Sequence, residues 1–297
     1  MRFLKLEGGG YDIIKTMKIQ KTIKEMLPQR DRDGHKGTFG KVFIYSGSFG
    51  SAGCAILAGK AAYRTGVGMV KIASPECNRV IIQSALPEAL YDTDDFAGRM
   101  HLYDKWSDVY LAGPGIGTDE SSVNMLDALV NGSGMKPLVL DADALTIISS
   151  DKGRYISDDL RKMASEGRQI ILTPHEGELH RLLKLIEGGP EDGDRLSLGI
   201  AVSEYMNCIV VVKGSETYTI APGEEVIVND DCGNCGMATA GSGDVLAGII
   251  TGLLAQGLSG IEAASYGVRI HALAGDAAAK VKGEHGLMAG DISDYIK

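Results

Sequence analysis

The feature that most constrains the fold of this chain is a series of short apolar runs separated by longer segments with helical spacing. The runs contain few charges, as strands do when they are buried on both faces of a sheet. Alternation of such strands with helices is typical of a mostly parallel sheet that helices cover on both faces. We therefore predict an α/β fold with strands at 42–45, 68–73, 109–112, 138–141, 170–173 and 209–212.

The segments between these runs favour a single domain. A hairpin is expected at 216–228, where Pro222-Gly223 supplies the turn. No change in composition divides residues 40–297, whereas the first 30 residues are polar and mixed. We interpret 1–30 as a variable N-terminal extension and 31–297 as the domain. Helices are expected at 52–64, 121–131, 177–187, 192–206, 244–256 and 260–281.

The charge of the chain excludes some classes of partner. The 30 Lys and Arg residues and 39 Asp and Glu residues give a formal net charge of −9 and a pI near 5.2. A nucleic-acid binder would present a basic face, so none is expected here. No apolar run is long enough to cross a bilayer, and no apolar signal core follows the first residues. We expect a cytoplasmic protein with no membrane partner.

The five cysteines do not suggest a disulfide framework in a chain of 297 residues. Cys232 and Cys235 form a CxxC pair, but a structural zinc site would need a second pair at similar spacing. A redox pair is expected at the start of a thioredoxin-like helix, whereas this pair precedes a glycine-rich loop. Neither zinc nor redox chemistry is favoured, and the role of the two thiols stays open.

The clearest sign of chemistry is the small-residue segment 238–244, which leads directly into the apolar run 245–250. This pattern predicts a glycine-rich loop that opens a helix, where free N–H groups and the helix dipole bind anions. Asp244 would repel a phosphate there, so anion binding alone does not explain a carboxylate at this position. It can take a proton from a hydroxyl that attacks the phosphoryl group. Alternatively, Ser242 or Asp244 only caps the helix.

Other polar, glycine-rich segments follow the predicted strands. In open α/β sheets, ligands bind beyond the carboxyl ends of the strands, so these segments are expected to form one extended site. They lie at 47–50, 113–117, 141–143, 173–176 and 213–215.

Several familiar motifs do not fit these segments. Residues 113–117 read GPGIG rather than GxGxxG, and no acidic residue closes a strand about 20 residues on, so a dinucleotide fingerprint is weak. A Walker loop is absent. His175 and His180 are five residues apart and would not share a helix face as zinc ligands. His175 is either a substrate contact or an ordinary loop residue.

The charged residues at two further strand ends also leave alternatives open. Lys213, followed by glycine and a hydroxyl residue, can bind a nucleotide phosphate as a point charge, or it is a solvated lysine at a turn. Asp141 and Asp143 can position water or magnesium, or they cap the helix that begins near Ala144.

Taken together, these segments resemble NAD(P)H-hydrate dehydratases, a family of the ribokinase-like superfamily. The resemblance covers residues from about 30 to 297, and the glycine-rich loop before Asp244 alone would indicate only the superfamily. Ala240 and Cys235 depart from the common pattern, in which glycine and proline are frequent. The segments that carry the resemblance are 35–41, 113–115, 141–145, 172–178, 212–214 and 233–248.

The resemblance implies a ribokinase-like fold and a repair enzyme. Such enzymes use a nucleoside di- or triphosphate to phosphorylate the C6 hydroxyl of hydrated NADH or NADPH (NADHX, NADPHX), then eliminate phosphate. ADP is the usual cosubstrate of bacterial members, although the sequence does not decide between ADP and ATP. Magnesium would bridge the phosphates.

The resemblance also assigns roles to residues of this chain. Asp244 would contact the C6 hydroxyl and act as the base. The anion hole would consist of N–H groups of Gly241, Ser242 and Gly243. The hydrate would be bound by Ala55, Gly115, His175 and Asp244, and the nucleotide by Lys213, Gly214, Ser215, Glu216, Thr217 and Gly243.

Two further expectations concern partners. Many bacterial relatives carry a fused epimerase domain, which these 297 residues do not resemble, so a separate epimerase or spontaneous interconversion would supply the S-epimer. Members of the family are commonly tetramers, and the alanine-rich segment 52–64 is a candidate for packing against a neighbour.

Two other classes of function compete with the dehydratase interpretation. A vitamin-precursor kinase of the same superfamily, acting on hydroxyethylthiazole or a pyridoxal-like alcohol, would also carry a glycine-rich loop ending in aspartate. Segment 173–178 favours the dehydratase over such a kinase. A nucleotide-binding regulatory protein would have no need for Asp244 beside a phosphate.

Overall fold

A computed structural model of the chain describes residues 2–5, 11–190 and 192–297. The strands, in chain order, are β1 (Arg2–Lys5), β2 (Tyr11–Ile14), β3 (Thr16–Met17), β4 (Lys41–Tyr45), β5 (Met69–Ser74), β6 (Leu90–Thr93), β7 (Val109–Ala112), β8 (Leu138–Leu140), β9 (Ile170–Leu172), β10 (Ile209–Val212), β11 (Thr217–Ile220) and β12 (Val226–Asn229). The helices are α1 (Ile23–Met26), α2 (Ala52–Arg64), α3 (Arg79–Ala85), α4 (Met100–Trp106), α5 (Glu120–Gly132), α6 (Asp143–Ile148), α7 (Arg154–Ser165), α8 (Glu176–Leu183), α9 (Arg195–Met206), α10 (Ser242–Ala255), α11 (Gly260–Lys282) and α12 (Ala289–Asp294).

Ten of these strands form one sheet in the order β3-β12-β11-β10-β9-β8-β7-β4-β5-β6. All neighbours from β10 to β6 pair in parallel. β11 is antiparallel to both β10 and β12, while β3 is parallel to β12. β1 and β2 form a separate antiparallel pair. The predicted α/β fold with a mostly parallel sheet is confirmed.

Both faces of the sheet are apolar, because alternate residues of a strand point to opposite sides. Phe43 and Tyr45 of β4 pack in a hydrophobic cluster with α5 to α9. Val42 and Ile44 of the same strand pack in a second cluster with α2, α10, α11 and α12. Helices therefore cover both faces, as predicted.

Helices α2 and α10 approach each other closely because small residues lie between them. A Cβ atom added to Gly248 would lie 2.2 Å from the carbonyl oxygen of Ala58. A Cβ atom added to Gly252 would lie 2.2 Å from Oγ1 of Thr65. The alanine-rich face of α2, considered above for a neighbouring subunit, is therefore used inside the chain. This packing positions the start of α10 beside the start of α2.

The strand order reverses between β4 and β7, so this is the switch point of the sheet. Hydrogen bonds join the loops that follow these two strands. The Gly47 amide donates to the carbonyl of Pro114 at 2.8 Å, and the Ser46 hydroxyl donates to the same carbonyl at 2.6 Å. Ligands of open α/β sheets bind in this place.

The predicted strands and the 216–228 hairpin are present. Predicted helix 177–187 is shorter in the structure, as α8, and 192–206 begins later, at Arg195 after the cap Asp194. Edge strands β3 and β6 were not predicted, since β3 has two residues and β6 contains polar ones. β3 lies within the segment interpreted as an extension, yet it pairs with β12. In the described part of the chain, no helix is long and apolar enough to span a membrane.

Candidate active site

The site is centred on the start of α10, where the predicted glycine-rich loop is found. Gly241 precedes the helix with φ of +90°, a conformation that favours glycine. A Cβ atom at Gly241 would also lie 2.3 Å from Cδ1 of Leu57. The Ser242 amide donates to the carbonyl of Thr239 at 3.2 Å, so this predicted anion-hole donor already closes a turn. Asp244 follows in the first turn of the helix.

Asp244 is partly buried at the mouth of this helix. Burial raises the pKa of Asp244 to about 7, and the negative charges of Asp141 and Asp143 act in the same direction. Lys213 opposes them. A carboxyl group with a pKa near neutrality can both accept and return a proton, as an acid–base catalyst must. The raised pKa of Asp244 therefore suits its predicted role as a base.

Lys213 lies behind the glycine-rich loop and balances part of this negative charge. Its Nζ is 2.7 Å from Oδ1 of Asp141 and 3.7 Å from Oε2 of Glu178. Burial lowers the pKa of Lys213, but the charges of Asp141 and Glu178 outweigh it, so the pKa is raised. A Cβ atom on Gly243 would lie 3.4 Å from Nζ. Lys213 is thus a paired, enclosed lysine beside the loop rather than a solvated one at a turn.

The segment after Lys213 forms a compact turn. Thr217 Oγ1 donates to the carbonyl of Gly214 at 2.9 Å, and Gly214 and Ser215 are exposed. The hydroxyl of Tyr218 donates to Oε2 of Glu216. Of the residues predicted to bind the nucleotide, Lys213 lies beside Gly243, and Gly214 to Thr217 follow it in this turn.

Sequence reasoning missed Arg195, which covers this turn. Its Nη1 donates to the carbonyl of Lys213 at 3.2 Å. A Cβ atom on Gly214 would lie 1.6 Å from the same nitrogen, so Gly214 leaves the space that the guanidinium occupies. Arg195 is at the start of α9, after the cap Asp194. Its position in sequence gives no indication of this contact.

The loop after β7 and the start of α2 meet on the other side of Asp244. Gly115 has φ of +66°, and a Cβ atom there would lie 2.5 Å from Sγ of Cys54. Burial and the charge of Asp244 both raise the pKa of the Cys54 thiol, which indicates that the carboxyl group is near. Ala55 follows Cys54 and is fully buried. Gly115, Ala55 and Asp244 therefore belong to one region, although the Ala55 side chain has no exposed surface.

His175 caps helix α8. Its Nδ1 accepts the N–H groups of Gly177 at 3.0 Å and of Glu178 at 3.3 Å. Its Nε2 lies 3.3 Å from Oε1 of Glu178, and the side chain is 55% exposed. The cap holds the ring in one orientation at the sheet edge, while more than half of it remains accessible. His180 is on the exposed part of α8.

Asp141 and Asp143 have different partners, although one residue separates them. Asp141 pairs with Lys213, whereas Oδ2 of Asp143 accepts the Gly117 amide at 2.9 Å. Between them, Ala142 has φ of +51° and ψ of −118°, a sparsely populated conformation for a residue with a side chain. This backbone lets the two carboxylates join the loops after β7 and β10.

The described residues contain no group of three or more His, Cys, Asp or Glu side chains that could hold a metal ion. The Cys232 thiol donates to Oδ1 of Asn229 at 3.1 Å, and burial raises its pKa to about 11. The Cys235 thiol donates to Oε2 of Glu284 at 2.9 Å, a bond that raises its pKa. Both shifts favour the protonated thiol, the less reactive form of cysteine.

A mostly parallel sheet with a glycine-rich loop and a carboxylate at the start of α10 places this chain among ribokinase-like proteins. Solved structures agree with this class. A ribokinase-like superfamily protein from Enterococcus faecalis aligns with a TM-score of 0.80 at 26% identity, over 95% of this chain and 94% of that chain. An ADP/ATP-dependent NAD(P)H-hydrate dehydratase from Bacillus subtilis, co-crystallised with ATP/Mg²⁺, aligns with a TM-score of 0.75 at 28% identity, over 92% and 93% of the two chains.

The chain belongs to the NAD(P)H-hydrate dehydratase family, whose model matches residues 42–297. An ADP-dependent (S)-NAD(P)H-hydrate dehydratase from Neisseria meningitidis is 37% identical over 89% of this chain and 86% of its own length. A bifunctional NAD(P)H-hydrate repair enzyme from Moorella thermoacetica is 35% identical over 92% of this chain. The chain spans 51% of that bifunctional relative.

Proposed function

We propose that this protein is a nucleotide-dependent dehydratase that converts the S-epimer of NADHX or NADPHX back to NADH or NADPH. As a dehydratase it is a carbon–oxygen lyase. The observation that carries the proposal is Asp244: a carboxyl group whose pKa burial raises to about 7, in the first turn of a helix, where free N–H groups favour an anion. Membership of the family supports the choice of substrate.

In the first step, the C6 hydroxyl of the hydrate attacks the terminal phosphoryl group of ADP. Asp244 takes the hydroxyl proton, an O–P bond forms at C6, and the bond to the AMP oxygen breaks. The N–H groups at the start of α10 stabilise the negative charge on the transferred phosphoryl group, as preorganised donors do in phosphoryl transfer. Lys213 and the turn at 214–217 would bind the nucleotide, with Gly243 between them and the base.

In the second step, the phosphate leaves C6 with the electron pair of the C–O bond. The ring nitrogen supplies the electrons that replace it, and loss of a proton from C5 restores the ring double bond. Hydroxide is a poor leaving group, and phosphorylation turns it into a good one. The products are NADH or NADPH, AMP and inorganic phosphate. Residues that would transfer a phosphoryl group in a kinase thus prepare an elimination here.

Magnesium fits this site only through the nucleotide. Asp141 and Asp143 are already paired with Lys213 and the Gly117 amide, and the described residues offer no protein cage for a cation. Mg²⁺ commonly binds through substrate phosphates and few protein ligands. We propose that it enters bound to the nucleotide, whose phosphates it would neutralise.

We further propose that the protein acts in the cytoplasm as a homotetramer beside a separate epimerase. The bifunctional repair enzymes among its relatives support a functional pairing with a second repair activity. ADP is the proposed cosubstrate, because two relatives are named ADP-dependent dehydratases.

The test is to mix the purified protein with NADHX and ADP, or ATP, and follow the absorbance of the reduced nicotinamide. We expect recovery of absorbance with one AMP released per NADH when ADP is used. A hydroxyethylthiazole kinase from Pyrococcus horikoshii shares the fold at 15% identity. Phosphorylation of a vitamin alcohol, with no recovery of NADH with either nucleotide, would replace the dehydratase proposal by a kinase.

A further inference from the structure

One face of α11 supports the segment that leads to the glycine-rich loop before Asp244. Asp276 accepts the Gly233 amide at 2.9 Å and the side-chain amide of Asn234 at 2.9 Å. A Cβ atom on Gly275 would lie 2.4 Å from the sulfur of Met237, so the loop packs directly on the helix backbone. Helix α11 therefore supports this part of the site.

His271 belongs to the same face, one turn before Gly275. Its Nε2 lies 3.2 Å from the Oγ of Ser242, the first residue of α10. Burial lowers the pKa of His271 to about 4; a hydrogen bond with the Ser242 backbone opposes this shift, and the charge of Lys213 adds to it. At neutral pH the ring is an uncharged hydrogen-bond partner, with one donor and one acceptor nitrogen. The proposed mechanism leaves this partly buried imidazole without a role.

The contact matters because of its place in the loop. The anion loop (residues 241–243) has glycine at both ends, and Gly241 has φ of +90°. Glycine allows many backbone conformations, so the loop is held in one of them only by its contacts. Ser242 carries the loop's one side chain, and His271 is its partner. Donors that stabilise a transferring phosphoryl group act well only when they are held in place beforehand.

We propose that His271 is a positioning residue, whose hydrogen bond to the Ser242 hydroxyl holds the anion loop in the geometry that phosphoryl transfer requires. This inference rests on the proposed dehydratase function and deepens it. His271 itself does not touch the substrate. Its removal would disturb the transition state more than the bound nucleotide, since the loop donors act mainly on the transferred phosphoryl group.

The experiment compares His271→Ala, His271→Gln and His271→Asn with the wild-type protein, using NADHX and ADP. We expect His271→Ala to lower kcat roughly threefold to tenfold, the effect of about one neutral hydrogen bond, with a KM for ADP within about twofold of the wild type. Glutamine places an amide group near the position of Nε2, and asparagine does not reach it. His271→Gln should therefore recover most of the kcat and His271→Asn little.

Ser242→Ala and the double variant test whether His271 acts through Ser242. We expect the double variant to lose no more kcat than His271→Ala alone, because both changes remove the same bond. His101→Ala, on the exposed side of α4, is the control and should match the wild type. Melting temperatures establish that each variant is folded.

Three results would overturn the inference: wild-type kcat in His271→Ala, equal recovery by glutamine and asparagine, or losses that multiply in the double variant. If His271→Ala does not fold, the glutamine and asparagine variants with Ser242→Ala still decide the question. Absence of NADHX turnover by the wild-type protein is a separate result, which would reject the proposed function instead.

Discussion

Lys213 is the residue on which the charge balance of the site depends. It lies 2.7 Å from Asp141, whose side chain is only 2% exposed, and it also offsets the charge that raises the pKa of Asp244. A buried carboxylate without a partner strongly destabilises a fold. Lys213 therefore has a structural task that is present before any nucleotide arrives.

Replacing Lys213 by methionine tests both tasks. We expect a loss of about 3–5 kcal/mol in the free energy of unfolding, because Asp141 is left buried and unpaired. The pKa of Asp244 should rise further, so the pH–rate profile should move to higher pH. Urea unfolding and the pH dependence of kcat/KM measure the two effects. Adding Asp141→Asn should recover stability, and failure to do so would place the role of Lys213 elsewhere.

Asp244→Asn removes the proposed base and keeps the size of the side chain. We expect ADP binding to remain, since the proposal assigns it to N–H groups and Lys213, while turnover falls by about 10²–10⁴-fold, the usual contribution of a general base. Calorimetric titration with ADP and the rate of NADH recovery are the measurements. Undiminished turnover would mean that Asp244 only caps the helix.

The pKa of Asp244 also predicts the pH dependence of the wild-type reaction. The base must be ionised to accept a proton, and its pKa is raised to about 7. We therefore expect kcat/KM to rise about tenfold per pH unit below pH 7 and to level off above it. An acidic limb centred near pH 4, the ordinary range of a carboxylate, would show that the site does not perturb Asp244.

Among the elements, α2 and α10 carry the site together, because their close approach brings Ala55 and Cys54 beside the start of α10. We expect Gly248→Ala to force these helices apart, since its Cβ would lie 2.2 Å from the Ala58 carbonyl oxygen. Overpacking of this kind lowers the free energy of unfolding by about 1–3 kcal/mol. Gly53→Ala is the control: a Cβ there meets nothing within 4 Å, so stability should hold or rise. Thermal unfolding of both variants compares them, and equal melting temperatures would contradict the packing argument.

Some elements and site residues could be predicted from the sequence, and others could not. Strand β10 and helix α10 were predictable, because continuous apolar residues identify buried elements. The glycine-rich loop and Asp244 were predictable too, since small residues before an apolar helix have a physical meaning. Arg195 and His271 were not, because each reaches the site from a distant helix through a contact that has no local pattern. The edge strand β6 was missed because it has only four residues, two of them polar and none fully buried.

For the whole molecule, ligand binding should be visible as stability, because the site joins loops from both halves of the sheet. Binding to the native state alone stabilises it by about 2.7 kcal/mol at a ligand concentration of 100 Kd. We expect ADP with Mg²⁺ to raise the melting temperature by several degrees in the wild type and by at least as much in Asp244→Asn, which removes a negative charge beside the phosphates. Adenosine, which has no phosphate, is the control and should give little change. An equal shift with adenosine would argue against a phosphate-binding loop.

The contacts around Lys213 have a consequence for ionic strength. The enclosed Lys213 lies in a strongly acidic site. The carboxyl groups of Asp141, Asp143, Glu178 and Asp244 shift the pKa of Lys213 or of one another. The protein as a whole has a formal net charge of −9. A polyphosphate approaching this surface is therefore repelled at long range and held only at short range. Dissolved salt screens the long-range repulsion first. Proteins that attract phosphates with basic surfaces lose affinity as salt rises, whereas here we expect added salt to speed the encounter with a nucleotide. We also expect a nucleotide whose charge is already neutralised by a cation to be the favoured ligand.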